Sequence, residues 1–180
     1  PHMFKTTLES VPSIVPYLFP SPPKVDSFRA QLNGTDLKVG LVWLGNPGRQ
    51  DDDMRSCPET ALAQIRAVNH VQFVSLQFGR ISPNSHGNLL DLGTQCTGFD
   101  DTAAAVEALD LVITVDTATA HLAGALGKPV WVMLGNHSDW RYLMDREDSP
   151  WYPTMRLFRQ TSHGDWEGLA TTVARELTKY

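Results

Sequence analysis

The chain has 180 residues, 42% of them hydrophobic, with 15 Lys and Arg against 20 Asp and Glu. That length fits one globular domain with a substantial core and leaves no comfortable room for a second. The net charge of -5 comes without any dense Lys/Arg cluster, which argues against nucleic acid as a partner.

Cys57 and Cys96 lack metal-ligand spacing with each other or with any His pair. No signal peptide or membrane-length apolar run is evident. The expectation is a soluble protein of a reducing, cytoplasmic setting. Residues 1–3, Pro-His-Met, read as the remnant of a cleaved expression tag, and the chain as a fragment of a longer protein.

In chain order, residues 11–25 ("VPSIVPYLFPSPPKV") combine prolines with apolar and aromatic side chains, a composition unsuited to a regular helix or a central strand. The segment reads as an extended connector whose Ile14, Tyr17, Leu18 and Phe19 lie in part against a surface. "DSFRAQLNG" offers a short helix ended by Asn33-Gly34, so residues 4–34 are assigned to connector and helix and 35–180 to the main domain. "LKVGLVWLG" is a buried strand, "NPGRQDDDMRS" a polar loop, and "CPETALAQIRAV" a helix with Pro58 and Glu59 in its first turn.

The strands "VQFVSLQ" and the shorter "NLLDLG" follow, then the helix "DDTAAAVEAL". Next come "DLVITV" (strand), "TATAHLAGALG" (helix), "KPVWVML" (strand), "MRLFRQ" (strand) and the helix "DWEGLATTVARELTK". Strands alternating with helices of about ten residues imply parallel pairing through right-handed crossovers. The fold class is therefore α/β, a doubly wound parallel sheet.

Residues 110–134 ("DLVITVDTATAHLAGALGKPVWVML") place polar groups where a strand meets a helix. In such sheets ligands bind beyond the carboxyl ends of the strands, where helix N-termini carry unpaired N–H groups and partial positive charge. Asp116, Thr117, Ala118 and Thr119 stand at that position, suited to a phosphate. His121, four residues after Thr117, shares its helix face, so both side chains are expected over one crevice. The plainer reading makes Asp116 an N-cap, Thr117 a first-turn residue and His121 structural. Asp116 itself would repel a diphosphate, so it is assigned to capping or to accepting hydrogen bonds from sugar hydroxyls. Leu122 and Leu126 mark the buried face, and Gly127 the C′ position before Pro129.

With "VGLVWLGNPGRQDDDMRS" before it and "DWRYLMDREDSPWYPTMRLFRQ" after it, this segment resembles the C-terminal half of glycosyltransferases related to the lipopolysaccharide heptosyltransferases, glycosyltransferase family 9. It is similar in particular to the version at the C-terminus of bacterial tetratricopeptide-repeat proteins. The resemblance implies a Rossmann-like domain that is one half of the two-domain GT-B arrangement, the half holding the nucleotide-sugar donor. The acceptor site and the general base would lie in the other half, and the proline-rich connector would cross between the two.

The resemblance further implies that Asp116, Thr117, Ala118 and Thr119 approach the donor's sugar and diphosphate, with His121 beside them. Asn46, Arg49 and Arg55 match positions where polar or cationic groups meet the phosphates, a role suited to the planar guanidinium. Both arginines have the alternative of offsetting Asp51, Asp52 and Asp53. That acidic run is read as a solvated loop and not as a metal site. Gln77 is placed beside the base or ribose, where the family tends to carry an acidic residue, so the nucleotide stays open. Asp100, Asp101 and Thr102 either cap a helix, the favoured reading, or touch the base. Asn136, Asp139 and Arg141 are rim candidates, and Trp131, Trp140 and Trp151 are read as loop anchors buried at their bases.

The functional expectation is the donor-binding domain of an inverting glycosyltransferase using a nucleotide-diphosphate sugar, possessing no cofactor of its own. No catalytic residue is assigned within the fragment, Arg55 and His121 giving electrostatic support, and turnover by this chain alone is not expected. A non-catalytic scaffold module serving tandem repeats or self-association as a homodimer is the alternative. A nicotinamide oxidoreductase ranks below both, because no G-x-G-x-x-G follows the first strand.

Overall fold

The computed structural model describes residues 3, 5–48, 50, 52–79, 89–136 and 138–180. Six parallel strands form one sheet in the order β3-β2-β1-β4-β5-β6. They are β1 (Leu37–Val42), β2 (Val71–Ser75), β3 (Leu90–Asp91), β4 (Leu111–Val115), β5 (Val130–Leu134) and β6 (Met155–Arg159). The order reverses between β1 and β4, so crossovers leave in opposite directions and open a crevice at the carboxyl ends of those two strands.

Strand residues alternate between two cores, as the pleat requires. Val112, Val130, Val132 and Leu134 face one side, packed by α1 (Pro22–Arg29), α4 (Phe99–Glu107) and α5 (Ala118–Ala125). Leu111, Ile113, Val115, Trp131 and Met133 face the other, packed by α3 (Glu59–Arg66) and α6 (Trp166–Leu177). The central strands are buried on both faces, which is why β5 is a continuous apolar run and β4 is broken only by the buried Thr114.

Three local differences from the expected elements have physical causes. The early helix starts at Pro22, ahead of Asp26, because Pro22 and Pro23 occupy N1 and N2, where a missing N–H costs nothing. Val25 and Phe28 are then buried in the core, so this helix is part of the domain's packing. Within the loop after β1, residues Asp52–Arg55 form a single helical turn, α2, supported by Ser56 Oγ donating to Asp52 Oδ1 at 3.1 Å. Pro58 precedes α3 as its N-cap, without a side-chain cap.

α5 ends as its sequence implies. Gly127 takes φ +70°, Lys128 N–H donates to Ala123 C=O at 3.0 Å and Gly127 N–H to Gly124 C=O at 3.0 Å, the paired bonds of a Schellman motif. The connector docks on this end: the N–H groups of Tyr17 and Leu18 both donate to Ala125 C=O, at 2.9 and 3.3 Å. Ile14 and Phe19 remain exposed beside it.

Candidate functional site

The carboxyl ends of β1, β2 and β4 enclose a crevice of about 580 Å³. Two helices aim their N-termini into it. Thr117 is the N-cap of α5, in extended conformation (φ -135°, ψ 170°), and its side chain makes no capping bond. Gly98 is the N-cap of α4 and has no side chain to cap with. The first-turn N–H groups of both helices lack intrahelical acceptors and carry the positive end of the helix dipole.

The first turn of α4 is fixed from behind. Asp101 accepts from Thr97 N–H at 3.0 Å and from Thr97 Oγ1 at 2.6 Å, and Lys24 of α1 bridges Asp100 (2.7 Å) and Asp101 (2.5 Å). Lys24, with the Thr97 bonds behind it, holds the Asp101 carboxyl well below the usual carboxylate range. Thr102 Oγ1 donates back to Gly98 C=O at 3.1 Å. This trio therefore braces the helix start through Thr97, Lys24 and Gly98 without capping it, which corrects the capping reading.

Asn46, Arg55, Gln77, Asp116, Thr117, Ala118 and Thr119 all line the crevice, and Arg49 lies outside the described residues. Their individual roles differ from those expected. Asp116 is not the N-cap: its carboxylate accepts from Arg55 Nη2 at 2.6 Å and from Tyr142 Oη at 3.1 Å, and Arg55 Nη2 also reaches the Asp116 carbonyl at 2.7 Å. Arg55 thus ties α2 to the end of β4. Its guanidinium still borders the crevice, 20% exposed.

Gln77 is buried, its Oε1 accepting from the N–H of Trp43 (3.3 Å) and Leu44 (3.0 Å) while Nε2 donates to Leu44 C=O at 3.2 Å. Its amide binds the backbone beyond β1 and sets one wall of the crevice. Asn46 Oδ1 accepts from Gly48 N–H at 2.9 Å, closing a local turn. Thr114 Oγ1 donates to Val115 C=O at 2.8 Å, so in its 3.0 Å contact with Thr117 Oγ1 the latter is the donor. The Thr117 oxygen keeps its acceptor side, and the N–H groups of α5 stay uncovered by it.

His121 does not share the crevice. It lines a neighbouring hollow of about 430 Å³ with Arg141, Tyr142, Ser149, Trp151 and Tyr152. Its ring lies nearly parallel to that of Tyr142, centroids 6.0 Å apart, and 5.9 Å from that of Tyr152. The reason is the helix start: with Thr117 outside α5 as N-cap, the 100° per residue rotation begins at Ala118, and the i, i+4 alignment fails. Burial lowers the His121 pKa and raises that of the Tyr142 hydroxyl, with Asp116 beside it reinforcing the latter. Asp116 thus joins the two hollows.

Arg159 supports the second hollow from β6, its guanidinium donating to Tyr142 C=O (2.6 Å), Leu143 C=O (2.8 Å) and Ser138 Oγ (2.9 Å). Asp139 caps the short 3₁₀ turn Trp140–Tyr142 by accepting from Arg141 N–H at 3.0 Å. Trp131 is buried as expected, but Trp140 is 60% exposed, with the Arg141 guanidinium 4.6 Å above its ring.

Phe78 and Phe99 were not singled out by sequence reasoning, yet both line the crevice while 59% and 67% exposed. The available signal was an aromatic beside a strand-end glycine in "SLQFG" and another at the first position of a helix in "GFDDTAAAV". Among the described residues, no three His, Cys, Asp or Glu side chains gather as a metal site, and no helix is long and apolar enough to cross a membrane.

A parallel sheet of this order, with paired helix N-termini at its switch point, defines a Rossmann-like α/β domain. Within it, residues 94–163 match the family described as Glycosyltransferase family 9 (heptosyltransferase). Over 98% of its length the chain is similar to Protein FlbA of Caulobacter vibrioides, at 32% identity across 187 aligned residues. It spans 31% of that relative.

The fold matches one half of the E. coli ADP-heptose lps heptosyltransferase II structure, with TM-score 0.66 and 18% identity, covering 95% of this chain and 55% of that one. The glycosyl transferase family 9 structure from Veillonella parvula DSM 2008 gives TM-score 0.63 and 14% identity, covering 90% and 51%. The chain therefore has the six-stranded parallel α/β fold found in GT-B heptosyltransferase structures, and spans about half of each.

Proposed function

We propose that this chain is the donor-binding domain of an inverting glycosyltransferase that uses a nucleotide-diphosphate sugar. One observation carries the reading: two helix N-termini without side-chain caps open on a single crevice bordered by Arg55. Backbone N–H groups of α5 at Ala118 and Thr119 bind the diphosphate, and the Arg55 guanidinium borders the same charge. In the transfer step the acceptor oxygen attacks the anomeric carbon from the face opposite the diphosphate. The bond from that carbon to the diphosphate oxygen breaks, and the nucleoside diphosphate leaves with the electron pair. The helix N-terminus stabilises the charge that develops there.

The acceptor's proton goes to a base outside this chain, so the isolated domain binds donor without turning it over. The acceptor domain, and any tetratricopeptide repeats that present an acceptor, belong to a longer protein; the share of the structural relatives that this chain spans supports this division. ADP-heptose is the first donor to try, since the E. coli structure of the same fold is that of an ADP-heptose heptosyltransferase.

A scaffold module that retains only the half-fold is the second reading, favoured by the way Arg55 and Asp116 bind each other and Gln77 binds backbone. Calorimetric titration with ADP, GDP, UDP and CDP and their sugar conjugates separates the two. The donor reading expects saturable binding by at least one nucleotide, abolished by Thr117→Tyr, whose ring covers the α5 N-terminus. Absence of binding by all of them selects the scaffold.

A further inference from the structure

The crevice that receives the start of α5 also carries two large aromatic side chains. Phe78 follows β2 and Phe99 opens α4; both rings line the cavity and both stand largely in solvent, 59% and 67% exposed. Val42, Leu44 and Leu76 add apolar lining to the same crevice. Large aromatics gain by burial, and among the described residues neither ring finds it.

Among the described residues, the polar side chains beside Phe78 and Phe99 are engaged with the protein itself. The Gln77 amide bonds to the Trp43 and Leu44 backbone, Asp101 holds Thr97 and Lys24, and Thr102 holds Gly98. Among the described residues, the crevice thus offers two exposed rings and apolar side chains beside the start of α4, and it also presents the start of α5 and Arg55. A molecule with a planar uncharged end and an anionic end fits that combination.

Resting on the nucleotide reading above, we propose that Phe78 and Phe99 form the base platform of the donor site, and that the nucleobase is held by stacking on these rings. Stacking is tolerant of base identity, because every base offers a π-face, and favours the larger purines. Lys24 serves the platform indirectly: by bridging Asp100 and Asp101 it fixes the turn from which Phe99 projects.

The test is equilibrium binding of ADP and of inorganic pyrophosphate to the wild-type chain and to Phe78→Leu, Phe99→Leu and Phe99→Tyr. Leucine keeps an apolar side chain and removes the flat face, so folding is retained. The proposal expects ADP affinity to fall about tenfold in each leucine variant, to persist in Phe99→Tyr, and pyrophosphate binding to be unchanged throughout. Leucine variants that bind ADP as the wild type does overturn it, as does a parallel loss of ADP and pyrophosphate. Wild-type protein that binds ADP no more tightly than pyrophosphate overturns the platform alone. Wild-type protein that binds none of these ligands overturns the nucleotide reading and the platform with it.

Discussion

Asp116 is the residue at which the end of β4, the turn α2 and the loop after β5 meet, because Arg55 and Tyr142 each spend a donor on its carboxylate. Tyr142 is 1% exposed, so removing its hydroxyl leaves a carboxylate oxygen short of a partner in a largely dry site. Tyr142→Phe should therefore cost about 1–2 kcal/mol in denaturant unfolding, given that a hydrogen bond to a charged group contributes about 1.5–3 kcal/mol when fully sheltered. An unchanged midpoint would show the bond to be idle. His121, stacked on the same ring, is held below its ordinary pKa by burial. In the window below the unfolded value of about 6.5 the unfolded chain takes up the proton first, so this contribution is complete above that pH and is lost as pH falls toward the folded pKa. Unfolding free energy should fall less steeply between about pH 7 and pH 5 in His121→Gln than in the wild type; parallel curves would remove His121 from the account.

At the scale of elements, most of the fold could be read in advance because burial on both faces leaves an unmistakable mark: β5 is apolar throughout and β4 at all but Thr114, and α6 repeats its apolar residues at helical spacing. What escaped reading were features set by neighbours. The position of Thr117 as N-cap depends on Arg55 and Tyr142 claiming Asp116, and this shifts His121 into a different hollow. The role of Gln77 depends on the path of the chain beyond β1, and the exposure of the two phenylalanines on what does not cover them. α5 shows the same limit. Gly124 is buried mid-helix, where alanine would gain about 1 kcal/mol of helix propensity, yet its missing Cβ is the space taken by the Tyr152 ring. Gly124→Ala should thus lower the melting temperature, by displacing Tyr152 from the wall of the second hollow; a rise would mean that the contact is dispensable.

The whole molecule divides its labour between a two-faced core that fixes the sheet and an edge where helix starts, one guanidinium and two exposed aromatic rings converge. Cys57 belongs to the core, its thiol pushed up to about 12 chiefly by burial, and should react with a thiol reagent near pH 8 only when the chain unfolds, at the unfolding rate. Fast labelling in native buffer would contradict that packing. The central claim concerns the edge: the N–H groups at the start of α5 receive a diphosphate. Ligand occupancy at a hundredfold excess over Kd should add about 2.7 kcal/mol of stability, but a stability gain does not say where the ligand sits. The most direct measurement is an amide-resolved NMR titration with ADP. The account predicts saturable shifts concentrated at Ala118, Thr119 and Ala120, with a second group at Gly98, Phe99 and Asp100. Shifts confined to the His121 and Tyr152 hollow, or none at any ADP concentration, would contradict it.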